Sequence, residues 1–175
     1  MKITWPFFSM FGHLERTGDR HASSPCATIK TTPMSDASHP ILLYDGVCGL
    51  CNRFVQFILR RDHAAVFRFA ALESPLAAQI LRRHGASATP LETVYVVVGP
   101  QQTAERLLAR SDAAIFVLAT LGGIWAVAAT VCRVVPRPLR DAVYDLVARN
   151  RYPVFGKFDA CPLPDPRHRP RFLDS

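Results

Sequence analysis

The stretch that most constrains this chain is Tyr44-Asp45-Gly46-Val47-Cys48-Gly49-Leu50-Cys51, which follows the apolar run Ile41-Leu42-Leu43 and precedes an amphipathic segment from Asn52 to Arg61. A short continuous apolar run reads as a buried strand, Asp-Gly as a tight turn, and the segment beyond the cysteines as a helix. A cysteine at a helix start meets unpaired backbone N–H groups and the positive end of the helix dipole, so its thiolate is favoured. Its partner three residues on lies one turn away on the same face. Such a pair can close into a disulfide and reopen with little backbone movement.

The rest of the first half builds a sheet around this turn. Val66 to Leu72 reads as a second strand, and two strands joined through a helix in about thirty residues pair in parallel through a right-handed crossover. The cysteines then lie at the carboxyl end of the first strand, where open α/β sheets place their sites. Ser74 and Pro75 open a second helix as N-cap and first helical residue, and it stops near His84-Gly85. Thr93 to Val98 is the strongest strand signal in the chain, Gly99-Pro100 ends it, and a return strand from Thr103 to Leu107 completes a hairpin. The order βαβα followed by ββ predicts an α/β, thioredoxin-like core with additional C-terminal helices.

In the second half, Ala113 to Cys132 holds twenty residues without a formal charge, bounded by Asp112 and Arg133. Twenty residues suffice to span a bilayer, but Gly122-Gly123 interrupts the run and Ser111-Asp112 offers a helix N-cap. Two short helices packed on the sheet are expected, with Phe116, Trp125 and Cys132 in the core; a membrane-associated hairpin is the alternative. A final helix from Arg137 to Asn150 is expected to turn Leu139, Val143, Leu146 and Val147 inward and Arg140, Asp141 and Arg149 outward. Tyr144 and Tyr152 either reach the cysteines or merely pack.

The 175 residues allow one domain with a sizeable core. The expected organisation is a leader or arm over 1–39, with Met34 a candidate start, a domain over 40–162, and a disordered Pro/Arg-rich tail over 163–175. The apolar part of the arm, Trp5-Pro6-Phe7-Phe8, is too short and interrupted for a secretory signal, and Glu15 and Asp19 argue against an organellar one. A cytoplasmic location is expected, with a membrane-associated or organellar one as the alternative. The net charge is +7, yet the basic residues, 18 of 21 of them arginine, are scattered, so a nucleic-acid partner is not expected.

Five cysteines, Cys26, Cys48, Cys51, Cys132 and Cys161, contain one close pair, which fits a reactive dithiol in a reducing compartment better than a secreted disulfide framework. The competing reading is a zinc half-site in a non-catalytic interaction module. Structural zinc needs four ligands, and Cys132, Cys161, His63 and His84 are isolated in the sequence; no metal is expected.

Taken together, Tyr44-Asp45-Gly46-x-Cys48-x-x-Cys51, Ser111-Asp112-Ala113, Pro136-Arg137-Pro138-Leu139-Arg140-Asp141, and Arg149-Asn150-Arg151-Tyr152 with Phe155-Gly156-Lys157 and Cys161 resemble the DCC family, over about residues 40 to 164. That family is named for its Asp-x-x-Cys-x-x-Cys signature and classed among thiol-disulfide oxidoreductases related to thioredoxin. The resemblance implies attack by Cys48 on a protein or small-molecule disulfide, resolution by Cys51, an unidentified reductant, and no cofactor beyond the dithiol. Cys48, nearer the helix start, is expected to be the more exposed thiol, and Cys51 the more buried, with the higher pKa. Asp45 either exchanges a proton with Cys51 or caps the turn. Tyr44, Gly46 and Pro90 are expected in support, Gly46 through a positive φ or a close approach and Pro90 as a candidate cis-proline. Cys161 is either a third thiol or a free cysteine. Gly49-Leu50 stands where thioredoxin has Gly-Pro, so a thioredoxin potential does not transfer.

Overall fold

In the computed structural model, which describes residues 39–86, 94–100, 102, 104–158 and 165–174, the apolar run at 41 is strand β1 (Ile41–Tyr44), buried throughout. A strand buried on both faces belongs inside a sheet. It pairs parallel with β2 (Arg68–Ala71) and antiparallel with β3 (Val94–Val98), and β4 (Arg106–Ala109) runs antiparallel to β3. The order β2-β1-β3-β4 is a mixed sheet consistent with a thioredoxin-like α/β fold. The return strand starts at Arg106, three residues beyond the expected Thr103.

Alternation along the strands divides the core between the sheet's two faces. Leu42, Phe69 and Val96 face helices α1 (Gly49–Leu59) and α3 (Arg110–Leu121), while Ile41, Leu43, Ala70, Tyr95 and Val97 face α2 (Pro75–Arg83). Burying a side chain such as Leu42 or Phe69 contributes about 1.5–3 kcal/mol. α2 starts as the sequence predicts: the Ala77 N–H donates to Ser74 Oγ at 3.1 Å, and Pro75 takes the first helical position. Such a cap is worth about 1 kcal/mol.

The uncharged run forms two short helices, α3 and α4 (Gly123–Val134), broken where Gly122 and Gly123 take φ of 73° and 55°. Among the described residues no helix is long and apolar enough to cross a membrane. α3 begins at Arg110 with Ala109 at the cap, so Ser111 is not the N-cap; its hydroxyl donates instead to Asp141. Phe116 and Trp125 are half-buried rather than central. Trp125 stands edge-on to Phe57 of α1 with ring centroids 4.8 Å apart, and the Arg61 guanidinium lies over both rings. Cys132 is exposed, contrary to the expected core thiol, because α4 turns only Ala129 fully inward.

The last helix turns most of its expected faces around, with Arg149 staying outward as expected. α5 (Arg137–Phe155) exposes Leu139, Val143, Leu146 and Val147, and turns Asp141, Tyr144, Asp145, Ala148 and Arg151 toward the protein. The cause is a polar seam with α3: Arg137 and Arg140 pair with Asp112 at 3.0 and 3.2 Å, and Arg110 pairs with Asp145 at 3.7 Å. The helix also runs past Asn150 and through Pro153, which puts Arg151 and Tyr152 on its body.

Where composition predicts a disordered tail, Arg171 to Asp174 lie against the sheet. Phe172 stacks on Phe69 at 5.1 Å, the Leu173 N–H donates to Phe69 O at 2.9 Å, and Arg171 forms an ion pair with the buried Asp62.

Candidate active site

Cys48 closes the turn after β1 and is the N-cap of α1, so its side chain stands where helical N–H groups have no partner inside the helix. The Cys51 N–H donates to Cys48 Sγ at 3.4 Å. These contacts favour Cys48 as a thiolate. The Cys51 thiol donates to its sulfur, burial and Asp45 work in the opposite direction, and the net result is a pKa lowered to about 6. Cys51 moves the other way: the hydrogen bond it donates to Cys48, burial, and the charges of Cys48 and Asp45 hold it protonated, against a smaller contribution from Arg151. The two thiols are therefore unequal in the sense that the sequence predicts.

Their exposure is not as expected. Cys48 has no accessible surface and Cys51 has 2%. The return of the chain after α5 lies alongside the Cys48 turn: the Gly49 N–H donates to Gly156 O at 3.1 Å, the Phe158 N–H donates to Val47 O at 2.8 Å, and Lys157 bridges Cys48 antiparallel. This approach explains why residue 49 is glycine. A Cβ on Gly49 would stand 2.2 Å from the Phe155 carbonyl oxygen. The backbone freedom expected at Gly46 is not used as a positive φ, which falls instead at Gly156, the cap of α5; Gly46 O accepts from Asn52 Nδ2 at 2.7 Å.

Asp45 is buried beneath the turn, and each of its oxygens has a separate task. Oδ1 accepts from the backbone N–H groups of Val47 and Cys48, both at 3.1 Å, which is the turn-capping arrangement. Oδ2 accepts from Arg151 Nη2 at 3.0 Å and from the Tyr152 hydroxyl at 2.6 Å, and Arg151 Nη2 also reaches the Tyr152 oxygen at 2.9 Å. Arg151 was visible in the sequence as part of a motif, but nothing there signalled an interior guanidinium. Tyr152 reaches the site through Asp45, and Tyr144 lines a cavity that Cys51 also lines.

That cavity, about 160 Å³, is walled by Leu50, Cys51, Phe54, Val94, Tyr144 and Ala148, among others. Its lining is almost wholly apolar. Tyr44, expected in support, ends β1 with its ring edge-on to Phe172 at 6.4 Å. Pro90 and Cys161 lie outside the described residues, as do Cys26 and Met34. Among the described residues no three His, Cys, Asp or Glu side chains are grouped to hold a metal ion.

Comparisons with known proteins agree on one grouping. The family model described as DCC1-like thiol-disulfide oxidoreductase matches residues 42–157. The uncharacterized protein YuxK of Bacillus subtilis (strain 168) is 39% identical over 134 residues, 76% of this chain and 93% of its own length. A chloroplastic DCC family protein of Arabidopsis thaliana is 33% identical over 124 residues, 71% of this chain and 69% of its own. No solved structure matches the chain.

Proposed function

The chain belongs to the DCC1-like thiol-disulfide oxidoreductase family, and from that premise we propose that it exchanges disulfides through Cys48 and Cys51, with no cofactor beyond the dithiol. The observation that carries the reading is the placement of two unequal thiols at the start of one helix: Cys48 is its N-cap and accepts the Cys51 N–H at 3.4 Å, surroundings that favour the Cys48 thiolate and keep Cys51 protonated. A nucleophile must be a thiolate near neutral pH, and a resolving thiol must keep its proton until its turn comes.

In the forward direction the Cys48 thiolate attacks one sulfur of a substrate disulfide. A Cys48–substrate disulfide forms, and the other substrate sulfur leaves as a thiolate. Cys51 then loses its proton to solvent or to the departing thiolate and attacks Cys48 Sγ. The Cys48–Cys51 disulfide forms, and the second substrate thiolate leaves. Two electrons have passed from the dithiol to the substrate; the reverse sequence oxidises a substrate dithiol. The substrate is a protein or small-molecule disulfide or thiol. Cys48 has no accessible surface and the backbone after α5 pairs with its turn at Lys157, so this stretch is the cover proposed to shift aside before the sulfur meets a substrate.

The test is a redox titration of the full chain in glutathione buffers, with thiols counted and the disulfide located by peptide mapping, and with zinc assayed in parallel. The expected result is loss of two thiols as a Cys48–Cys51 disulfide, prevented by Cys48→Ser. Stoichiometric zinc released on Cys51→Ser, with no disulfide at any potential, would overturn the reading.

A further inference from the structure

A buried carboxylate beside a nucleophilic thiol is at odds with the thiol's task. Asp45 is 7% exposed, and its negative charge opposes ionisation of both Cys48 and Cys51. Capping the turn does not require that charge, since a neutral oxygen also accepts two backbone N–H bonds. The structure supplies a second set of contacts to the same group. Arg151 is 4% exposed, and its guanidinium is fixed from several sides: Nη1 donates to Ala148 O at 3.3 Å, Nη2 donates to Asp45, and its carbon lies 4.3 Å from the centre of the Tyr152 ring. Burial disfavours its charge, but Tyr152 and Asp45 outweigh that and hold it cationic. Burial, together with the bond to Asp45, keeps the Tyr152 hydroxyl protonated and so able to donate.

We propose that Arg151 and Tyr152 are positioning residues for the dithiol: they hold Asp45 as a compensated carboxylate, so that it orders the Cys48 turn while opposing the charge on Cys48 less than an unpaired carboxylate would. This rests on the reading of Cys48–Cys51 as a redox pair. The same clamp ties α5 to the turn after β1, across 106 residues of sequence. The arrangement makes the acidity of Cys48 depend on a residue that does not touch its sulfur. Other titratable groups stand around the turn among the described residues. Glu73, after β2, is itself disfavoured as an anion by burial and then by Asp45; Lys157 lies with its ammonium 5.6 Å from the Tyr152 ring; and Tyr144 lines the cavity beside Cys51.

The effect runs in a definite direction. Without the guanidinium, Asp45 repels the Cys48 thiolate uncompensated, and the Cys48 pKa rises. Without the carboxylate, Arg151 faces the dithiol alone, and the Cys48 pKa falls. Without either, the two changes offset one another.

The experiment is alkylation of the reduced full chain with iodoacetamide across pH 5 to 10, with Cys48 resolved by peptide mass. For the unmodified chain the half-maximal rate is expected near the about 6 that the geometry supports. Arg151→Met should shift the profile upward by about one unit or more, a roughly fivefold lower thiolate population at the original midpoint. Arg151→Lys should restore part of the shift, and Tyr152→Phe should shift it upward by less. Asp45→Asn should move it downward, and Arg151→Met added to Asp45→Asn should no longer raise it above the unmodified chain. An acidic Cys48 left in place by both Arg151→Met and Tyr152→Phe, in folded protein, overturns the proposal while leaving the redox reading standing. So does an equal upward shift by Arg151→Met with and without Asp45, because Arg151 would then not act through the carboxylate. If Arg151→Met does not fold, Arg151→Lys and Tyr152→Phe decide the matter alone. An unmodified chain whose Cys48 ionises as an ordinary thiol overturns the redox reading itself.

Discussion

Helix α1 is bracketed by two buried aspartates, and each binds a distant arginine in the same way. At its start, Asp45 Oδ1 caps the turn through two backbone N–H groups and Oδ2 meets Arg151 of α5. Beyond its end, Asp62 accepts from the backbone N–H groups of Val66 and Phe67, at 3.0 and 2.9 Å, and meets Arg171 of the C-terminal segment. Both pairs pin a late element to the first βαβ unit. The first has nucleophilic sulfur beside it and a tyrosine hydroxyl on its carboxylate. The comparison separates what a buried ion pair does for a fold from what it does for a reaction. At Asp62 the pair is an anchor; at Asp45 it is an anchor whose charge balance is also felt by a thiol.

The sharpest way to break the comparison is to remove the sulfur. Cys48→Ser should abolish disulfide exchange altogether while leaving both ion pairs intact. Cys51→Ser should still form the mixed disulfide but hold it, visible as a stable adduct in intact mass after mixing with a model disulfide. If Cys51→Ser turns over at the rate of the unmodified chain, Cys51 is not the resolving thiol.

Next comes the anchor without chemistry. Arg171→Met leaves the Asp62 carboxylate buried and uncompensated, and removing one partner of such a pair costs about 3–5 kcal/mol. Urea denaturation should show that loss, while the pH profile of Cys48 alkylation in the folded protein stays where it was. A shifted profile would mean that the two ends of α1 are coupled and that the pairs are not separable.

Gly49→Ala tests the contact between the dithiol turn and the chain leaving α5. A Cβ there lies 2.2 Å from the Phe155 carbonyl oxygen, a backbone atom, so the Phe155–Phe158 stretch must move away. Overpacking of this kind costs about 1–3 kcal/mol. Denaturation should report the loss, and Cys48 alkylation at saturating pH should become faster as its cover loosens. Slower alkylation would contradict the view that this stretch shields the sulfur.

The smallest effect is the pH dependence of stability. A folded Cys48 that loses its proton near about 6, against an unfolded thiol that keeps it to 9.0, leaves the unfolded chain carrying more protons between those values. Stability should therefore rise with pH across that window and fall again as pH drops through about 6. Cys51, held protonated in the folded state, contributes in the opposite direction above the ordinary thiol range. The slope from one such group is at most about 1.4 kcal/mol per pH unit, and Cys48→Ser should remove it.

Much of the site was legible because it is local. The buried strand, the turn, the helix start and the unequal thiols all follow from neighbouring residues between Ile41 and Leu59, and the Ser74-Pro75 start of α2 is equally self-contained. What escaped the sequence depends on distant partners. Hydrophobicity alone points to the wrong inward face for α5, because Asp112 and Arg110 of α3 pair with Arg137, Arg140 and Asp145. The helix continues beyond the expected Asn150 because Pro153, in its closing turn, leaves most of the helical hydrogen bonds intact. The tail looked disordered because Phe172 and Arg171 acquire their role only when they meet Phe69 and Asp62 across the fold. Likewise Gly49 needs to be glycine only because Phe155 arrives beside it.

The most direct test is the order in which the two thiols react in the unmodified chain, read by mass-resolved alkylation across pH. Cys48 should be modified first, with a midpoint near about 6, while Cys51 stays unmodified until well above the ordinary thiol range. If Cys51 reacts first, or if the two titrate together as ordinary thiols, the division of labour between nucleophile and resolving thiol is contradicted.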